Sequence, residues 1–278
     1  MSRAKAYAKI NLALVVGPLR DGKHEVVTVL QRIDLYDEIS LEPAESLAVT
    51  GFAEDTIVRA ALEAFAVAAG VVPYWRVRIE KRIPVAAGLG GGSADAATAL
   101  RLANGTLDLP LPRDDLHDIA ARLGADVPFF LGGGTQLATR DGTVLEPIEL
   151  PLDYWILIVV PDDARKKSTR DVYDAFDDRD VASGYTERAA ALREALTAVE
   201  RARDLAGLPP NDLASSPLAS QLVHAGAFRA DVSGAGPALY GLFESEDDAS
   251  RAADALAHVG RMLVTRPAEA GDRPRVAR

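Results

Sequence analysis

Pro84-Val85-Ala86-Ala87-Gly88-Leu89-Gly90-Gly91-Gly92-Ser93-Ala94-Asp95-Ala96-Ala97 is the stretch on which the reading of this chain turns. Before it, Arg76 to Lys81 alternates with Val77 and Ile79 on one side, the period of a strand; after it, Ser93 to about Ala103 reads as a helix. Glycines in such a turn let backbone N–H groups approach a ligand that a Cβ would keep away. The helix start adds unpaired N–H groups and the positive end of a dipole, so a phosphate placed there is stabilised twice over. No Lys-Ser or Lys-Thr closes the loop, so it is not a Walker loop, and the dinucleotide fingerprint needs glycine where Ser93 stands. Ser93 itself reads either as a helix N-cap, worth about 1 kcal/mol, or as a hydroxyl for a phosphate or Mg²⁺.

Outward from this loop, strands and helices are interleaved. Ile10, Leu12 and Leu14 alternate with Lys9, Asn11 and Ala13, which predicts a half-buried strand with Lys9 and Asn11 on one face. Val26 to Leu35 and Ile39 to Glu42 predict two further strands, and 54–69 a helix stopped by Gly70. Arg113 to Leu123 predicts a helix closed by Gly124, and Tyr154 to Val160 a central strand. The polar stretch from Asp162 to Gly184 reads as a mobile connection. Beyond it the pattern predicts helices at about Glu187 to Ala206 and Ser216 to Ala225, a strand over Ala238 to Phe243, and a last helix opened by Ser245 with Asp248 at capping-box spacing. The class is α+β in two lobes, and the boundary is expected just before the Tyr154 strand, giving 1–150 and 151–278.

Composition bounds the function. The 278 residues, 48% apolar and 26% charged, suffice for a packed core. Forty-one acidic against thirty-one basic residues give a net charge of -10, the opposite of the basic footprint of a nucleic-acid binder. The absence of cysteine excludes disulfides, thiolate nucleophiles and thiolate metal sites, as a reducing compartment would favour. The most apolar run is far shorter than the roughly 18 residues of a membrane span and the first residues lack a signal-peptide layout, so a cytoplasmic protein without a membrane partner is expected.

Two more loops share the glycine-rich style. Gly124-Ala125-Asp126-Val127-Pro128-Phe129-Phe130 sets one acid between a helix-ending glycine and a proline, and from spacing alone Asp126 is a cap or turn residue as readily as a catalytic one. Val232-Ser233-Gly234-Ala235-Gly236-Pro237 reads as a tight turn or as a flap over a bound group. His117, His224 and His258 lie on predicted helices without metal-ligand spacing.

Together these segments resemble the GHMP family of small-molecule kinases. Ala8-Lys9-Ile10-Asn11-Leu12, Pro84 to Ala97 and Val232 to Phe243 match its three motifs in order and span most of the chain. Asp21-Gly22-Lys23-His24-Glu25 and Gly124 to Phe130 narrow the resemblance to members that phosphorylate a cytidine diphosphate-linked methylerythritol with ATP and Mg²⁺. The resemblance implies an N-terminal lobe like the second domain of ribosomal protein S5, a ferredoxin-like C-terminal lobe and an active site between them. It implies Lys9 and Asp126 as the catalytic pair. Lys81 and the loop Pro84, Val85, Ala86, Ala87, Gly88, Leu89, Gly90, Gly91, Gly92, Ser93 and Ala94 would hold the nucleotide. Asn11, Lys23, His24 and Tyr173 would face the substrate.

Two positions depart from the family pattern: Lys23 stands where it has a stacking tyrosine, and Asp55 replaces an asparagine near the adenine pocket. Lys23 and His24 also read as plain hairpin-turn residues, and the cluster 165–167 as a solvated loop face. A sister kinase acting on homoserine or mevalonate, or a nucleotide sensor without chemistry, remains an alternative; a sensor would have dispensed with Lys9 or Asp126.

Overall fold

The computed structural model describes residues 1–55, 57–162, 168–179 and 183–269. In chain order the elements are β1 (Ser2–Arg20), β2 (Lys23–Pro43), β3 (Ala48–Thr50), α1 (Ile57–Ala69), β4 (Trp75–Glu80), α2 (Gly91–Asn104), α3 (Arg113–Leu123), α4 (Val127–Leu131), β5 (Thr135–Thr139) and β6 (Val144–Ile148). There follow β7 (Trp155–Pro161), α5 (Thr169–Asp177), α6 (Tyr185–Thr197), α7 (Leu218–His224), β8 (Arg229–Val232), β9 (Leu239–Phe243), α8 (Glu246–Ala255) and β10 (Gly260–Thr265).

The two strands predicted between Val26 and Glu42 are one. Asp37, in the gap left between the two predicted strands, is fully buried within β2. This length organises the first sheet: one edge of β2 pairs with β1 over almost its whole course, while the other edge takes β5 at Thr28–Gln31 and β4 at Glu38–Pro43. The β1–β2 ladder slips three times, between Tyr7 and Lys9, Asn11 and Ala13, and Val16 and Leu19, and such bulges re-aim side chains locally. The second sheet runs β10-β7-β9-β8, all antiparallel.

One core lies between the first sheet and α1 to α4, built on Phe65, Leu100 and Phe129. A second joins the sheets: Ala8, Ile10 and Leu12 of β1 pack with Ile156 and Ile158 of β7 and Tyr240 of β9. β1 is therefore covered on both faces, and the half-buried strand expected from its alternation is buried from Ala6 to Val16. A third core lies between the second sheet, α7 and α8.

Other local expectations shift in detail. α2 starts at Gly91 with Gly90 in the left-handed N-cap position, so Ser93 lies inside the first turn and is not the cap. The helix predicted to Ala206 ends at Thr197, followed by a short 3-10 turn over Ala202–Gly207. The connection expected from Asp162 to Gly184 contains α5, whose N-terminus is closed by reciprocal Ser168 and Asp171 hydrogen bonds. The basic cluster 165–167 lies outside the described residues.

Candidate active site

A cleft of about 1200 Å³ runs between the lobes, and all three glycine-bearing segments reach it. Its floor is β1. Lys9 donates from its backbone N–H to the Leu89 carbonyl at 3.0 Å, which fastens the strand to the first glycine loop. The Lys9 ammonium, 5% exposed, donates to Asn11 Oδ1 at 2.6 Å and stands 3.6 Å from Asp126 Oδ2, which is 43% exposed. A buried cation thus meets a carboxylate open to the cleft. Asp126 precedes α4 without capping it through its side chain, so its carboxylate remains turned to Lys9.

The glycines are needed for this approach. A Cβ on Gly90 would lie 2.7 Å from the Phe130 ring and 3.1 Å from Lys9 Cγ. One on Gly234 would lie 3.3 Å from Lys9 Nζ and 3.2 Å from Asn11 Oδ1. Gly88, at φ +84, packs against the Ser233 carbonyl, and Ser233 Oγ donates back to the Gly88 carbonyl at 3.0 Å. The first and third glycine segments are therefore in contact, and both border Lys9. At the helix end, Gly91, Gly92 and Ser93 face the cleft. Ala94 does not: its N–H donates to the Gly90 carbonyl and its side chain is buried. Ala87 and Leu89 are likewise buried, and contribute backbone rather than side chain.

Lys81 lies beneath this helix end. Its ammonium would be 3.3 Å from a Cβ on Gly91. It donates to Asp95 Oδ2 at 2.8 Å and to Asp37 Oδ2, while Asp37 Oδ1 accepts from the N–H groups of Arg82 and Ile83. Burial alone would lower the Lys81 pKa, but Asp95 and Asp37 outweigh it and raise it. Burial pushes Asp95 up to about 8 against the pull of Lys81. Both oxygens of Asp37 accept hydrogen bonds, whereas Asp95 Oδ1 is buried without a hydrogen-bond partner among the described residues. Neither acid was identifiable from the sequence; an acid inside an apolar strand and another just inside a helix were the available signals.

At the other end of the cleft, His24 stacks on Tyr173 with ring centroids 4.9 Å apart and an angle of 20°. A carbonyl only accepts, so the 2.9 Å contact with Gly17 requires Nδ1–H; Nε2 then faces Asp177 at 3.4 Å. Burial, and then Asp126, raises the Tyr173 hydroxyl to about 12. Lys23 donates to Asp141 Oδ2 at 2.7 Å and links the tips of the β1–β2 and β5–β6 hairpins. That bond, with Thr143 on the other oxygen, lowers Asp141 to about 2. Asp141 was not singled out by the sequence. Asp55 caps α1, accepting from Val58 N at 3.1 Å.

The site thus offers a backbone anion cradle, a lysine–carboxylate pair beside it and an aromatic–imidazole platform beyond. Residues 55–134 match the family model for the GHMP kinases N terminal domain, and 210–261 that for GHMP kinases C terminal. The 4-diphosphocytidyl-2-C-methyl-D-erythritol kinase of Salinispora arenicola is 39% identical over 91% of this chain and 87% of its own. The protein of that name from Chlorobium phaeobacteroides is 37% identical over 90% and 91%. A crystal structure of 4-(cytidine 5'-diphospho)-2C-methyl-D-erythritol kinase superposes with a TM-score of 0.76 at 31% identity, covering 95% of this chain and 98% of that one. A mevalonate kinase structure superposes with a TM-score of 0.75 at 15% identity, a likeness of fold alone.

Proposed function

The chain belongs to the GHMP kinase family and is similar along most of its length to the 4-diphosphocytidyl-2-C-methyl-D-erythritol kinases, and from that premise we propose that it transfers the γ-phosphoryl group of ATP to the 2-hydroxyl of 4-diphosphocytidyl-2-C-methyl-D-erythritol. The observation that carries this is the buried Lys9 ammonium, 3.6 Å from the Asp126 carboxylate at the edge of the glycine cradle.

Phosphoryl transfer asks a protein for positioning and charge neutralisation more than for covalent chemistry. The N–H groups at Gly91 to Ser93 and the dipole of α2 suit the nucleotide's phosphates, and the missing Cβ atoms let them close in. The substrate hydroxyl oxygen attacks the γ-phosphorus, the bond from that phosphorus to the β-bridging oxygen breaks, ADP leaves, and the hydroxyl proton passes to Asp126. The Lys9 ammonium, beside Asp126, favours the oxygen as it gains negative character. Mg²⁺ is expected to arrive on the nucleotide's phosphates, with the Ser93 hydroxyl within the same turn. The cytosine is assigned to the His24 and Tyr173 end. There the His24 ring, held by the Gly17 carbonyl and stacked on Tyr173, offers a flat surface and a ring edge to the base. Residues 1–150 are taken as the ATP-binding half and 151–278 as the C-terminal half. Among the described residues no helix is long and apolar enough to cross a membrane, and the reaction is assigned to the cytoplasm.

The test is ADP release with ATP and Mg²⁺ against a panel of 4-diphosphocytidyl-2-C-methyl-D-erythritol, mevalonate and homoserine. Turnover confined to the cytidine-bearing alcohol is the expected result; turnover of only mevalonate or homoserine refutes the assignment.

A further inference from the structure

We propose that Thr28, in β2, is a positioning residue for the Lys9–Asp126 pair, acting through Asn11. The inference rests on the function proposed above and adds a residue to it.

The argument is one of proton counting. Thr28 Oγ1 donates to the Ala13 carbonyl at 2.7 Å. Ala13 borders the slip of the β1–β2 ladder between Asn11 and Ala13. A hydroxyl has one proton; with it committed to Ala13, Thr28 Oγ1 can only accept. Asn11 Nδ2 donates to it at 2.8 Å. That fixes which end of the Asn11 amide faces which neighbour, and turns Oδ1 to Lys9 Nζ at 2.6 Å. The direction of donation therefore runs from Lys9 to Asn11 to Thr28 to the Ala13 backbone. All three side chains are at most 5% exposed, so water does not readily replace a lost member.

Were the amide reversed, an N–H group would face the ammonium, and Lys9 would lose the acceptor that Asn11 gives it. Thr28 thus sets the polarity of the chain that aims Lys9 at Asp126.

Thr28→Val keeps the shape and removes the hydroxyl, while Thr28→Ser restores it. Thr28→Val is expected to lower kcat at least tenfold, with the KM for ATP within twofold of the parent, and Thr28→Ser to recover most of the loss. In an Asn11→Ala background Thr28→Val should cost less than threefold more, because the intermediary is gone. The side-chain amide of Asn11, followed by NMR in the ligand-free protein, should shift and exchange faster with solvent in Thr28→Val and not in Thr28→Ser. An unmoved Asn11 amide, or a full further loss in the Asn11→Ala background, overturns the inference. If the parent phosphorylates none of the alcohols in the panel, the proposed function fails while the Asn11 resonance still decides the role of Thr28. Should Thr28→Val not fold, Thr28→Ala and Thr28→Ser give the same comparison.

Discussion

Asp95 and Asp126 show how position divides the work of two carboxylates. Asp126 is open to the cleft, paired with Lys9 and free to take a proton. Asn at that position preserves the shape but neither accepts the proton nor holds the ion pair. Asp126→Asn is expected to lower kcat by about 10² to 10⁴-fold with ATP affinity largely kept, which calorimetric titration and ADP release together check. Asp95 is buried with an unpartnered oxygen and raised to about 8, against about 3.9 in an unfolded chain. Between those values the folded state holds a proton that the unfolded state has released. The contribution of Asp95 to stability therefore declines as pH rises from about 4 to about 8 and levels off above. Relative to Asp95→Asn, which does not titrate, the parent should lose stability steadily from pH 5 to pH 8 in urea unfolding. A gap independent of pH contradicts the assignment.

At the scale of the elements, the glycine loop is held near its middle by two separate segments: Lys9 of β1 fastens Leu89, and the turn after β8 fastens Gly88. Gly88→Ala places a Cβ at φ +84 against the Ser233 carbonyl. The expected cost is about 2 to 4 kcal/mol in denaturant unfolding, with weakened nucleotide binding. Ser245 is the contrast, since it caps α8 on the far side of the second sheet and accepts from Asp248 N at 3.1 Å. Ser245→Ala should cost about 1 kcal/mol and leave the kinetics unchanged. Capping and alternation are local, which is why α3, β9 and the start of α8 could be read close to where they are observed. Asp37, by contrast, falls in the gap between the two predicted strands, and the groups that make its burial tolerable, Lys81 and the N–H groups of Arg82 and Ile83, lie more than forty positions away.

At the scale of the molecule, the two sheets share one core, in which Ile158 of β7 is fully buried with Ile10 and Leu12 of β1. Ile158→Ala is expected to cost about 2 to 5 kcal/mol. Because that core belongs to both lobes, tryptophan fluorescence and far-ultraviolet circular dichroism should report one coincident transition rather than two; separate transitions would mean that the lobes unfold independently. The sequence by itself determined the class, the three glycine-bearing segments and the face shared by Lys9 and Asn11, since periodicity, glycine content and helix capping act within a few residues. Only the tertiary structure decided that Asp126 meets Lys9, that Lys81 is held between two acids, and that Lys23 reaches Asp141. Those are contacts between groups far apart in the chain, and the cost of burying or pairing each charge depends on the neighbours that folding brings to it.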